Sequence, residues 1–481
     1  MGIGVHTSSG VPPLAASLST IRPFLNHGFT DITHSLSKVT QVPNPPLKSS
    51  LIDSKADNMT LPSTLRDASC ADDYDPNSMP VNKARALIAL FLTPLTAIER
   101  VHVRSALGRV LAQDVISPIN VPAHDNSAMD GYALRFADLK QGGDVTLKVA
   151  GTSFAGKPYG GKMAAGEAVR IMTGAVMPPE ADTIVMQEHA QAADGMVTIG
   201  SGHRLHQNLR RAGEDLAIGQ VALKRGLPLR PAEIGLIASL GIGEVTVFRK
   251  LRVAFFSTGD ELVSIGAMPG EGQIFDSNRY TIHGMLTRLN CEVIDMGVVR
   301  DDPALIEAAF AAAAANADVV ITSGGVSVGE ADFVKEMLNK LGEVLFWKIA
   351  MKPGRPLAYG KISGAHFFGL PGNPVSVMVT FYQFVRDALL VLSGQNPVLP
   401  LPTFKVPCTS ALKKAPGRTE FQRGILSQDA SGAWSVRVTG EQGSGILRSM
   451  SEANCFIIMP TDQGNVAPGA LVEVQVMEGV I

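Results

Sequence analysis

The segment ADVVITSGGVSVGEADF, residues 317–333, decides how the middle of the chain folds. Asp318–Thr322 is an apolar, β-branched run of strand length, and it breaks into Ser323-Gly324-Gly325-Val326-Ser327-Val328-Gly329. A helical run, Glu330–Leu341, follows. Strand, glycine-rich turn and helix in that order form the repeating unit of a parallel sheet. The same alternation surrounds it: Arg252–Phe256 then Ser277–Leu289, Glu292–Val299 then Pro303–Asn316, and His366–Leu370 then Pro374–Leu392. The region 250–393 therefore reads as an α/β unit, a parallel sheet with helices on its faces.

Outside that unit the pattern changes. Residues 142–200 hold short apolar runs punctuated by glycines: Val145–Val149, Ala168–Met172, Thr183–Met186 and Met196–Ile199. They read as strands. A helix begins near Asn82, and another spans Ala232–Leu240 between Pro231 and Gly241. Beyond residue 399, Thr403–Val406, Trp434–Val438, Cys455–Met459 and Leu471–Val476 predict a small β-barrel or sandwich. The fold class is α/β plus β, in several subdomains. Residues 1–78 contain eight prolines and no glutamate, with no lasting period of 2 or 3.6, and read as a disordered extension.

Composition narrows the function. The 481 residues carry 42 basic and 44 acidic side chains, a net charge of −2, which argues against a broad nucleic-acid-binding surface. No apolar run reaches membrane-helix length by inspection, so no membrane partner is expected. Cys70, Cys291, Cys408 and Cys455 form no C-x-x-C pair, and no basic and apolar leader opens the chain. A cytoplasmic protein with reduced thiols is expected.

In an open α/β sheet, ligands bind beyond the carboxyl ends of the strands. Four predicted strand ends deliver Ser257-Thr258-Gly259-Asp260-Glu261, Arg300-Asp301-Asp302, the glycine loop 323–329 and Pro371-Gly372-Asn373-Pro374. Backbone N–H groups of Gly324, Gly325 and Gly329, with the hydroxyls of Ser323 and Ser327, can cradle a phosphate. The loop is neither G-x-G-x-x-G nor a Walker loop, and a tight strand-to-helix turn is the plainer explanation of any one glycine. Asp260, Glu261, Asp301 and Asp332 would repel each other and a phosphate unless a hard cation such as Mg²⁺ lay between them. Asp302 before Pro303 is better explained as a helix cap. Lys348, Lys352 and Arg355 lie in WKIAMKPGRP, residues 347–356, and could hold an oxyanion; Lys348, Ala350 and Lys352 share a face if the segment is extended. Asn373 and Ser376 could line the same edge.

These segments resemble one family, the molybdopterin molybdenumtransferases, called MoeA in bacteria and represented by the E domain of gephyrin in animals. The motifs run in order from about residue 80: DNSAMDGYA at 125–133, IMTGAVMP at 171–178, RRAGED at 210–215, FSTGDEL at 256–262, QIFDSNRY at 273–280, TSGGVSVGEADF at 322–333, WKIAMKPGRPLAYG at 347–360 and FFGLPGNPVSV at 367–377. The resemblance implies Mg²⁺-dependent insertion of molybdate into adenylylated molybdopterin, with release of AMP. It implies catalytic roles for Asp130, Thr173, Asp215, Glu261, Asp301, Asp332, Lys348 and Lys352, with Ser376 as a further molybdate contact. Pterin binding would fall to the glycine loop together with Pro371, Gly372 and Asn373. It implies a MoaB/MogA-like α/β unit at 250–398, a β-rich inserted domain at 122–218, an elongated dimer linker at 78–121 and 219–249, and a C-terminal β-barrel at 399–481. It implies a homodimer, a separate molybdopterin adenylyltransferase as substrate donor, and a molybdoenzyme or chaperone as acceptor. The extension 1–77 has no counterpart in the family pattern. A receptor-anchoring scaffold, the adenylyltransferase step and a molybdate store are rival readings. The retained carboxylates speak against the scaffold, and the 125–215 segment and β-rich C-terminus speak against the adenylyltransferase.

Overall fold

The computed structural model describes residues 79–140, 142–324 and 340–477. The expected disordered extension, the helix Glu330–Leu341 apart from its last two residues, and the site candidates Gly325, Ser327, Gly329 and Asp332 lie outside the described residues.

The α/β unit is a six-stranded sheet in the order Glu292–Val299, Arg252–Thr258, Val319–Ser323, Ala365–Leu370, Pro356–Ile362, Gly342–Lys348. The first four strands are parallel. The last two pair antiparallel, a departure from the all-parallel sheet expected. The connection 349–355 is too short for a parallel crossover, which needs about a dozen residues. Alternation on the central strand fills both faces. Val253 and Phe255 point to one core with helices Ser277–Arg288 and Pro374–Thr380. Ala254 and Phe256 point to the other with helix Pro303–Asn316. Phe310 of that helix meets Phe256 and Phe367 edge-on at 5.1 and 5.4 Å. Each such buried ring contributes about 1.5–3 kcal/mol.

Pro374–Leu392 is one continuous helical stretch of 19 residues, apolar and long enough to cross a membrane, contrary to expectation. It is instead mostly buried among the core side chains. A wider π turn at Phe381–Val385 lets the Gln383 carbonyl accept from Arg85 Nε at 2.9 Å. Gln383 Nε2 donates to Gln475 in the C-terminal sheet at 2.7 Å.

Before this unit, Ile98–His102 pairs with Glu244–Phe248, and Val115–Ile116 with Val221–Leu223. The chain thus leaves and returns through adjacent strands. Between them lies a second six-stranded sheet, in the order Thr183–Met186, Gly131–Leu134, Glu167–Ile171, Val145–Ser153, Met196–Ile199, Ala190–Ala193. The C-terminal region is a third sheet, in which Thr419–Gln428 pairs with Met351–Lys352, Cys455–Met459 and Trp434–Val438. Cys455–Met459 continues to Leu471–Val476, and that strand to Thr403–Pro407. The two ends of this sheet are joined by a Cys408–Val436 bridge, a 2.8 Å bond from Thr409 N to the Val436 carbonyl and a 3.3 Å bond from Val438 N to Ser410 Oγ, and among the described residues no continuous ladder closes it into the expected barrel.

Candidate functional site

The order of the α/β sheet reverses between Arg252–Thr258 and Val319–Ser323, because the chain goes first to one side of the central strand and then to the other. Such a switch point opens a crevice at the carboxyl edge. A cleft of about 1340 Å³ lies there. One wall carries Thr258 to Leu262, another Ser323 and Gly324, a third Pro371 to Pro374 with Ser376. Met351–Pro356 closes one side, and the C-terminal sheet adds Arg418 and Gln442–Gly445.

Gly324 has φ +91°, and a Cβ there would stand 2.6 Å from the Thr258 carbonyl. Only glycine allows the two strand ends this approach. Ser323 is buried; its Oγ accepts from Asn278 Nδ2 at 2.9 Å. The same Asn278 amide donates to the Gly372 carbonyl at 2.6 Å, so one side chain joins two walls. Asn278 was not singled out from sequence, although it lies in the quoted QIFDSNRY motif. Its Oδ1, with Thr258 Oγ1 and Asp276 Oδ2, is buried without a protein partner. Buried polar atoms usually find one, so these three mark the cleft floor as a place for ligand or water. Asn373 precedes the helix at Pro374 but makes no side-chain cap, whereas Asp302 caps its helix through Ala304 N and Leu305 N at 2.9 and 3.0 Å.

Asp260, Glu261 and Asp301 all reach the cleft and are exposed. Asp260 Oδ1 accepts from Asp301 N at 3.3 Å, which joins the two acidic loops. No cluster of three Asp, Glu, His or Cys side chains fit to hold a metal occurs among the described residues. Lys352 lines the cleft; Lys348 does not. The expected common face is broken because Lys348 ends a strand of the α/β sheet and Met351–Lys352 belongs to the C-terminal sheet. Arg423, almost fully buried, donates to Ser449 Oγ at 3.0 Å and the Gly443 carbonyl at 2.9 Å, and so fixes the 442–445 wall. Burial pushes its pKa down to about 10.

Asp130, Thr173 and Asp215 are absent from this cleft. They belong to the inserted region, where three quoted motifs meet. Asp130 Oδ1 accepts from Thr173 N and Oγ1, both at 2.7 Å. These bonds, the backbone one first, hold the carboxyl below the ordinary carboxylate range. Asn126–Ser127 pairs with Leu209–Arg210, and Asp125 accepts from Ala212 N at 2.8 Å and Arg211 Nη1 at 3.0 Å. Asp215 is exposed, its N–H on the Val121 carbonyl at 3.1 Å.

A doubly wound sheet with a large crevice at its switch point, lined by acidic loops and by Lys352, is the architecture of an α/β ligand-binding unit. Residues 79–241 match the MoeA N-terminal region (domain I and II), 254–391 the probable molybdopterin binding domain, and 405–477 the MoeA C-terminal region (domain IV). The chain is 48% identical over 398 residues to a molybdopterin molybdenumtransferase of Haemophilus influenzae, covering 82% of this chain and 98% of that one. It is 35% identical over 379 residues to one from Nostoc, covering 77% and 87%. A molybdopterin biosynthesis MoeA structure from Pyrococcus horikoshii OT3 superposes with TM-score 0.73 at 29% identity, covering 83% of this chain and all of that one. The chain belongs to the MoeA family of molybdopterin molybdenumtransferases, transferases of molybdenum cofactor biosynthesis.

Proposed function

We propose that this enzyme inserts molybdate into adenylylated molybdopterin and releases AMP. The observation that carries the reading is the switch-point cleft, which sets Asn278, the carboxylates of Asp260, Glu261 and Asp301, and Lys352 around one space. Both substrates are anions and cannot approach without cations between them. Ser323 and Gly324 line the wall where a phosphate would sit, their own donors given to the Pro371 carbonyl at 3.4 Å and the Leu370 carbonyl at 3.2 Å, and Lys352 would face the oxyanion. Ser376 lies on the same wall.

The donor set fits Mg²⁺, which takes one or two carboxylates and completes its shell with water and substrate phosphate. One or two of Asp260, Glu261 and Asp301, which reach the cleft without forming a three-ligand cluster, would hold it directly or through water, with Asp332 a further candidate, and it would supply charge neutralisation at the phosphoryl group. The protein's own work is to orient the diphosphate along the 258–261 and 323–324 walls and to keep molybdate beside it. Lys348, outside the lining, would add only its charge to the field there.

The inserted region would complete this site from a second subunit, which makes the working form a homodimer with Asp130, Thr173 and Asp215 facing a partner's cleft. On this reading the units are 78–121 with 219–249, 122–218, 250–398 and 399–481. A cytoplasmic adenylyltransferase would supply the substrate, and a molybdoenzyme or chaperone would take the product. The test is AMP release from adenylylated molybdopterin. Release that requires both molybdate and a divalent cation supports the reading. Full release in excess EDTA overturns the metal role, and molybdate binding without any AMP release favours a store.

A further inference from the structure

Lys352 is half exposed on a flexible stem, so burial does not hold its ammonium in place. Something else must. Parallel pairing sets Lys352 beside Glu420, the second residue of the strand Thr419–Gln428. Glu420 is a nine-tenths buried carboxylate, and its Oε1 lies 3.4 Å from Lys352 Nζ. Its other oxygen accepts from Gln422 Nε2 at 3.1 Å. Gln422, itself buried, also donates to the Lys413 carbonyl at 3.1 Å. Glu420 is thus fixed from behind and meets Lys352 in front.

We propose that Glu420 is a positioning residue, which holds Lys352 over the cleft and sets its affinity for the incoming oxyanion. A buried carboxylate needs a cation, and Lys352 meets that need. The contact is longer than the 2.7–2.9 Å of a tight charge-assisted bond. An ammonium has three donors, so the others remain for a ligand. Glu420 therefore fixes the direction of Lys352 without saturating it. The C-terminal sheet, which also supplies Arg418 and the 442–445 wall, would in this way tune the cleft of the α/β unit. The inference rests on the proposed role of Lys352 toward molybdate.

The test is AMP release against molybdate concentration for wild type, Glu420→Gln, Lys352→Ala and the double variant. Glu420→Gln should raise half-saturating molybdate about fivefold. Turnover at saturating molybdate should change much less. Lys352→Ala should raise the requirement further, and adding Glu420→Gln to it should change nothing more. A merely structural role would multiply the two effects. Multiplied effects, or a normal molybdate requirement in Glu420→Gln while Lys352→Ala raises it, overturn the proposal and leave the Lys352 reading standing. A normal requirement in Lys352→Ala overturns both. Should Glu420→Gln fail to fold, Glu420→Asp keeps the charge but withdraws it by one methylene. A raised requirement there supports the proposal; an unchanged one overturns it.

Discussion

The α/β unit and the inserted sheet both gather polar groups from distant stretches of sequence, but by different means. In the α/β unit, Thr258, Ser323 and Leu370 end neighbouring parallel strands, so parallel pairing alone delivers the following loops to one edge. Those loops then enclose a cleft. In the inserted sheet, Gly131 pairs antiparallel with Ile171. The residue before one strand, Asp130, therefore lies near one just after the other, Thr173. That pair is exposed on the surface. The first arrangement makes an enclosed site. The second holds an oriented carboxylate on the surface, outside this cleft.

The sharpest way to break this contrast is Asp130→Asn. A positioned carboxylate in proton transfer or electrostatic stabilisation is worth on the order of a hundredfold or more. AMP release should fall by about that factor, with the thermal midpoint little changed because the side chain is exposed. Mixing Asp130→Asn subunits with Glu261→Gln subunits should restore activity through hybrid dimers. Unchanged turnover in Asp130→Asn would leave the inserted region without a part in the chemistry.

Two glycines in left-handed backbone test the enclosed and open sites directly. A Cβ at Gly324 would meet backbone at 2.6 Å, whereas at Gly174, φ +78°, it would meet nothing within 4 Å. Gly324→Ala should cost about 2–3 kcal/mol in urea denaturation, from strain plus a contact that cannot yield. Gly174→Ala carries the conformational penalty alone, about 1 kcal/mol. Equal losses would mean that the cleft is no tighter than the inserted loop.

The same physics explains what the sequence made legible. Runs buried on both faces, such as Arg252–Thr258 and Val319–Ser323, announce themselves by continuous apolar character, and the edge where their loops gather follows from topology. The strand Thr419–Gln428 was missed although it is the hub of the C-terminal sheet. It buries Glu420, Gln422 and Arg423, which by composition read as surface. The antiparallel pair Gly342–Lys348 and Pro356–Ile362 is not announced by the strand–helix alternation, because no helix separates the two strands. Asn278 went unassigned because its role, joining two walls, depends on loops 45 and 94 residues away. Separating Lys348 from Lys352 required knowing that the chain changes sheets between them.

Acid should act on the enclosed unit through a buried histidine. His366 lies beside Lys361 in register and contacts Tyr359. Burial, and then the charge of Lys361, push its pKa down to about 4. An unfolded histidine titrates near 6.5. Between those values the unfolded chain binds the proton and the folded one does not. Stability is therefore full above about pH 6.5 and falls as pH drops toward 4. The loss by pH 5 is about 2 kcal/mol. Unfolding free energies from urea titrations at pH 7 and pH 5 should differ by that much more in wild type than in His366→Gln. Equal differences would assign the acid sensitivity elsewhere.

The smallest expected effect is none, and it concerns the chain before either region. Met79 is fully buried in the α/β core. Its N–H donates to the Lys348 carbonyl at 3.0 Å, and its carbonyl accepts from Ala350 N at 2.8 Å. The backbone at Met79 thus braces the strip that leads to Lys352. The match to the MoeA N-terminal region begins at residue 79, and residues 1–77 show no periodicity that would bury a face. Deleting them should leave both the thermal midpoint and AMP release at wild-type values, since Met79 and the helix Val81–Leu90 remain. Deleting through Val81 removes the two backbone bonds and the buried methionine, and should raise the molybdate requirement as well as lower stability. A protein lacking only residues 1–77 that is folded yet inactive would show that the extension takes part in the reaction, as a third contributor beside the cleft and the inserted region.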